Sequence, residues 1–269
     1  EEEKRVPKKI TEKQKKGRLD LTNEIIFTID GADAKDLDDA VSIKKYDNYY
    51  ELGVHIADVG EYVPRDSVID EEAYRRGTSV YFPTSVLPML PRSLSNGICS
   101  LNEGVERLTL SCIMKVNFNG EVIEHKICES VIKSKARLTY DEVYEALSEG
   151  KVNDKTKDLL SHFKTMRELC DILETNAVKR GSLDLEVPEV EFIFDDRGIA
   201  VGIKRRERNE AHRLIEDFMV LANIVVAKEF DTLKIPFVYR VHEAPTKEKV
   251  YALCDFIKGL GVRYPKVPD

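Results

Sequence analysis

Ile25-Ile26-Phe27-Thr28-Ile29-Asp30-Gly31-Ala32-Asp33-Ala34-Lys35-Asp36-Leu37-Asp38-Asp39-Ala40-Val41 sets four aspartates, Asp30, Asp36, Asp38 and Asp39, directly behind an apolar run. A β-branched and aromatic run ending in an acid reads as a strand that delivers a carboxylate to a sheet edge. The turn behind it returns three more acids to the same place. Carboxylates a few ångströms apart repel, so one or more must protonate unless a cation neutralises them. Oxygen ligands without nearby His or Cys point to Mg²⁺ or Mn²⁺ rather than zinc. The alternative is a solvated acidic turn, but apolar residues on both sides tie this turn to a core. A calcium loop counted from Asp30 fails on spacing. Lys35 falls where the turn glycine belongs, and Val41 where the bidentate Glu belongs. Asp36-Leu37-Asp38 is only a weak match to an aspartyl-phosphate phosphohydrolase, because the strand ends well before it.

Working outward, Tyr50-Glu51-Leu52-Gly53-Val54-His55-Ile56 alternates strictly and predicts a half-buried strand with Leu52, Val54 and Ile56 on one face. Leu108 to Phe118 and Glu121 to Lys133 predict a hairpin around Asn119-Gly120. Residues 82–101 hold three prolines and read as an ordered loop. Thr139 and Glu142 form a capping box that opens a short helix. Asp154 to Arg180 reads as a long amphipathic helix stopped by Gly181. A second hairpin is expected across Asp195-Asp196-Arg197-Gly198. Asn209 to Phe230 is helical, with Leu214, Phe218, Leu221 and Val225 on one stripe. Ile235 to Val241 is strand-like and Pro245 to Leu260 helical. Strands first and helices interspersed later predict an α+β fold with a mixed, largely antiparallel sheet flanked by helices.

The 269 residues are 42% hydrophobic and 34% charged, enough for a core under a highly charged surface. No stretch approaches the ~18 apolar residues that span a membrane, and no signal peptide opens the chain. Five scattered cysteines without a CxxC pair read as reduced thiols of a cytoplasmic protein. Net charge is −7, weakly against nucleic-acid binding, but basic residues are clustered. Residues 1–20 are a strongly basic linker or arm, and Lys204-Arg205-Arg206-Glu207-Arg208 forms a second cluster. Each suits phosphates or a solvated surface.

The segment Thr28 to Ala40 resembles the catalytic motif of the RNB family of exoribonucleases. Other stretches agree in order: Val54-His55-Ile56-Ala57-Asp58-Val59, Thr78-Ser79-Val80-Tyr81-Phe82-Pro83, Pro88-Met89-Leu90-Pro91, Leu94 to Leu101, Leu214 to Asn223 and Tyr239-Arg240-Val241-His242-Glu243. The resemblance runs from about residue 24 to residue 262 and is strongest to the ribonuclease R branch. It implies 3′→5′ processive hydrolysis of single-stranded RNA to nucleoside 5′-monophosphates. Such hydrolysis needs a hydroxide near neutral pH and a stabilised leaving oxygen, which two divalent ions ~3.5–4 Å apart supply. By family position Asp30, Asp36 and Asp39 are metal ligands; Asp38 stands beside them, holding the second ion or orienting the attacking water. Asp33 has no matching role. Tyr81 matches a residue that stacks on the terminal nucleotide, and Tyr140 and Glu216 match contacts to the ribose end. Leu185 falls where the family has a stacking Phe. His55, His212 and His242 are expected to serve as structural hydrogen-bonding groups, since metal-activated water needs no His base.

The resemblance further implies an arginine-bearing segment, cold-shock domains and an S1 domain in the full-length protein, none of which is found here. Residues 21–269 are therefore expected to be a partial RNB catalytic domain. A non-catalytic RNA-binding or interaction module is the rival reading.

Overall fold

The computed structural model describes residues 2–183, 189–206 and 208–262. The strands are Leu19–Leu21 (β1), Phe27–Asp30 (β2), Asp39–Lys45 (β3), Tyr49–Ala57 (β4), Val80–Phe82 (β5), Ser85–Leu87 (β6), Glu106–Asn117 (β7), Val122–Lys133 (β8), Ala136–Thr139 (β9), Glu189–Phe194 (β10) and Ala200–Arg206 (β11). The α-helices are Glu12–Lys15 (α1), Val68–Arg76 (α2), Tyr140–Tyr144 (α3), Leu160–Lys179 (α4), Glu210–Leu233 (α5) and Lys247–Gly259 (α6). The chain divides into two compact units, Glu1–Val226 and Ala227–Asp269.

In the first unit seven strands form one sheet in the order β1-β8-β7-β4-β3-β2-β9. Its two outer pairs, β1–β8 and β2–β9, are parallel, and the four pairs between them are antiparallel. The mixed α+β fold expected from the sequence is therefore observed. One face carries Phe27, Ile29, Val41, Ile43, Leu52, Val54 and Met114. These pack with Val143 of α3, Phe163, Met166 and Leu169 of α4, and Leu214 and Phe218 of α5. Alternation along the strands turns Ala40 and Ala57 to the opposite face, into a second cluster with Ile69, Leu94, Ile98 and Leu101. Strand β4 is thus buried on both faces rather than half-buried. His55 is only 1% exposed; Ser42 and Ser111 flank its ring at 3.1 and 2.7 Å.

The β7–β8 hairpin turns at Asn119-Gly120 as expected, with Gly120 at φ +79°. The capping box at Thr139 and the β10–β11 hairpin also match the sequence. Four further readings need correction. The Asp30 strand is not at the sheet edge, because β9 lies outside it. Residues 82–101 are not irregular throughout: Pro83-Thr84 turns β5 into β6, and Ser93–Ile98 forms a π-helical turn. The helix expected from Asp154 begins at Leu160, because the Asn153 side chain accepts from the Lys155 and Thr156 amides and holds a turn there. In the second unit Ile235 to Val241 is not a strand; no partner strand pairs with it among the described residues.

The basic amino-terminal segment holds α1 and ends in β1. Arg18 is nearly buried and meets Asp58 at 2.7 Å, and Lys15 meets Glu106 at 2.6 Å, so both charges are committed within the fold.

Candidate functional site

Asp30 ends β2 and Asp39 begins β3, so antiparallel pairing brings both to the same end of the sheet. The intervening residues 31–38 form no regular element and are pinned from two sides. Ser100 is fully buried; its hydroxyl donates to the Lys35 carbonyl at 2.8 Å and accepts from the Leu37 amide at 3.1 Å. The Leu101 amide donates to the Leu37 carbonyl, and the Ala57 amide to the Asp38 carbonyl, both at 2.9 Å. From β9, Arg137 donates to the carbonyls of Ala32 and Ala34, each at 2.8 Å. Leu37 is buried in the core, which leaves Asp36 and Asp38 on either side of an apolar anchor.

The acids disturb one another. Burial, then the neighbouring Asp39 carboxylate, pushes the Asp30 carboxyl up to about 7; nearby Arg137 opposes this and Asp38 adds to it. Burial alone raises Asp39. Asp38 stays open to solvent on one side, yet crowding by protein atoms and the charges of Asp36 and Asp39 raise it too. One oxygen of Asp30, Oδ2, is buried without a hydrogen-bond partner. An orphaned carboxylate oxygen under the charge of Asp39 and Asp38 is a donor that a hard divalent cation would satisfy, although among the described residues no three of the four aspartates bring ligand oxygens within 4.8 Å of one another. Asp33 is exposed on the turn.

Tyr81 lies on β5, 66% exposed, and its hydroxyl donates to Asp36 Oδ2 at 3.1 Å. The small hairpin missed in the sequence is what carries this ring to the acids. Thr139 registers with Asp30 across the β2–β9 pair, so Tyr140, the next residue, starts α3 beside the cluster. The Tyr140 ring stacks on His212 of α5, with centroids 3.9 Å apart. One turn along α5 from His212, Glu216 forms an ion pair with Arg208. Tyr81 is thus joined to Asp36 directly, whereas Tyr140 stacks on His212 and Glu216 pairs with Arg208. Leu185 lies outside the described residues.

Burial holds His55 near a pKa of 3, so it stays neutral as a hydrogen-bonding group. In the second unit, His242 Nε2 accepts from Arg240 at 3.0 Å. Arg137 escaped the sequence reading. Nothing local marks it, since its targets lie in the loop after β2, which is distant in sequence and brought near only by the parallel β2–β9 pairing.

Among the described residues, the one group of three His, Cys, Asp or Glu side chains with ligand atoms within 4.8 Å of one another is Cys170, Glu174 and Asp217. There Cys170 Sγ donates to Asp217 at 2.9 Å, and burial, with that contact, pushes the thiol well above its ordinary range. Metals bind the thiolate, so this cluster reads as a helix-to-helix hydrogen bond. No helix among the described residues is long and apolar enough to cross a membrane.

The chain is 46% identical over 261 residues to ribonuclease R 1 of Lactococcus lactis, covering 96% of this chain and 32% of that protein. It spans about a third of the length of the curated relatives it matches. The structure of Mycoplasma genitalium RNase R in complex with ribose-methylated single-stranded RNA superposes with a TM-score of 0.94. That match is 33% identical and covers 99% of this chain and 42% of that one. Yeast Ssd1, a pseudonuclease, shares the fold at a TM-score of 0.74 and 21% identity, over 95% of this chain and 31% of that one. The RNB domain family matches residues 18–266, and on that span, with its acids gathered at the end of β2, the chain belongs to the RNB family.

Proposed function

We propose that this chain is catalytic-domain sequence of a cytoplasmic exoribonuclease that degrades single-stranded RNA processively from its 3′ end and releases nucleoside 5′-monophosphates. The observation that carries the reading is the half-buried Asp30, with one oxygen unpartnered, beside Asp38 and Asp39, with Asp36 acting on Asp38. Asp30, Asp36 and Asp39 would hold Mg²⁺ or Mn²⁺, with Asp38 completing the set for a second ion. Bound there, the ions would supply a hydroxide near neutral pH and charge stabilisation for the leaving oxygen. Tyr81, exposed beside Asp36, offers a face on which the terminal base can stack irrespective of its identity. Tyr140 and Glu216 would contact the ribose end, where the 2′-hydroxyl distinguishes RNA from DNA. In each cycle water oxygen bonds to phosphorus and the bond from phosphorus to the 3′ oxygen breaks. The departing nucleotide keeps its 5′-phosphate, and the 3′ oxygen takes a proton. Arginine-bearing, cold-shock and S1 segments would complete the RNA path in the full-length protein.

The second reading, a non-catalytic RNA-binding or interaction module, has one observation in its favour: the same fold occurs in a pseudonuclease. A 5′-labelled single-stranded oligoribonucleotide, incubated with the protein and Mg²⁺, Mn²⁺ or EDTA, separates the two. A metal-dependent ladder shortening from the 3′ end supports the nuclease. RNA binding without cleavage, together with no affinity for Mn²⁺, supports the module.

A further inference from the structure

Among the described residues Arg137 is the one cation whose side chain hydrogen-bonds into the acidic loop from another strand, and the loop's own contacts show what it does there. One terminal nitrogen of its guanidinium donates to both Ala32 and Ala34 carbonyls at 2.8 Å. These two carbonyls lie between Asp30 and Asp36. The Ala34 amide in turn donates to the Gly31 carbonyl at 3.1 Å, closing the turn that Arg137 holds. The anchor is firm: Arg137 sits in β9, in register with Thr28 of β2, and its amide donates to Glu103 Oε2 at 3.0 Å. Ser100 pins the second half of the loop at Lys35 and Leu37; among the described residues, only Arg137 side-chain bonds fix the first half.

We propose that Arg137 is a positioning residue that sets the spacing between Asp30 and the Asp36–Asp38 pair, and so the cation affinity of the cage. The proposal rests on the metal-dependent reading above. Its charge opposes protonation of Asp30, but once the aspartates are ionised a guanidinium beside a cation site repels the cation. At pH 8, where Asp30 is ionised, geometry and charge predict opposite signs, which makes the role measurable. Removing Arg137 as a charge tightens cation binding; removing it as a clamp loosens it.

The experiment is Mn²⁺ titration of the protein followed by electron paramagnetic resonance, for wild type, Arg137→Met and Arg137→Lys, with circular dichroism to verify folding. The expected result is at least tenfold weaker Mn²⁺ binding in Arg137→Met. Arg137→Lys, which keeps the charge on a shorter stem, should lose less, about threefold. Unchanged affinity in folded Arg137→Met assigns the residue to fold stability alone, and tighter binding assigns it to electrostatics; either overturns the proposal. Should Arg137→Met not fold, unchanged affinity in Arg137→Lys overturns it equally. Wild type without Mn²⁺ affinity would instead remove the metal-dependent reading, and the role of Arg137 with it.

Discussion

Replacing Asp30 by Asn should stabilise the metal-free protein above neutral pH while destroying its metal response. The Asp30 carboxyl moves from an ordinary value of 3.8 to about 7 in the fold, chiefly through burial and then the charge of Asp39. A group raised in the folded state lends stability that is complete below its unfolded value and lost as pH rises through its folded value. At about 1.4 kcal/mol per pH unit the full loss is roughly 4 kcal/mol by pH 8. Solvent screening at a partly open site reduces this to about 2–3 kcal/mol. Asn has the shape of the neutral carboxyl and escapes the loss. Urea unfolding in EDTA at pH 8 should therefore show Asp30→Asn about 2–3 kcal/mol more stable than wild type. At pH 5 the gap should shrink by more than half. Saturating Mn²⁺ should reverse the order, because only wild type gains stability from the ion. A variant less stable than wild type in EDTA at pH 8, or a gap independent of pH, would refute the claim that Asp30 is held under electrostatic strain.

Three further outcomes are expected. Asp38→Asn should lower hydrolysis at least ~100-fold in single-turnover assays and leave RNA affinity, read by filter binding, within about twofold. Gly53→Ala should cost about 2–4 kcal/mol in denaturant unfolding, because a Cβ there meets Ser42 and comes within 2.7 Å of His55 Nε2, crowding a buried hydrogen bond. Gly120→Ala should cost a similar amount, about 2–4 kcal/mol. Gly120 has φ +79°, and the added Cβ would lie 2.6 Å from the Asn176 amide that donates to Asn119; a loss under 0.5 kcal/mol by the same assay would count against that packing.

Much of this molecule is legible along the chain because its signals are local. Asn119-Gly120 names its own hairpin, Thr139 and Glu142 name their own helix start, and the acids follow Ile29 within ten residues. Short elements between prolines were not legible: Val80–Phe82 and Ser85–Leu87 are three residues each, too few to show a period. Ile235 to Val241 shows the converse, an apolar run with strand character and no neighbour to pair with among the described residues. By itself the sequence determined that four carboxylates would crowd at the end of a strand, because covalent connection forces residues so near in sequence to be near in space. Only the tertiary structure decided what surrounds them. It places Arg137 over the loop, the Tyr81 hydroxyl on Asp36, and His212 against Tyr140. Each of those contacts depends on strand pairing or helix packing across tens of residues. Those pairings are set by which apolar faces bury each other, and no local stretch of sequence encodes that choice.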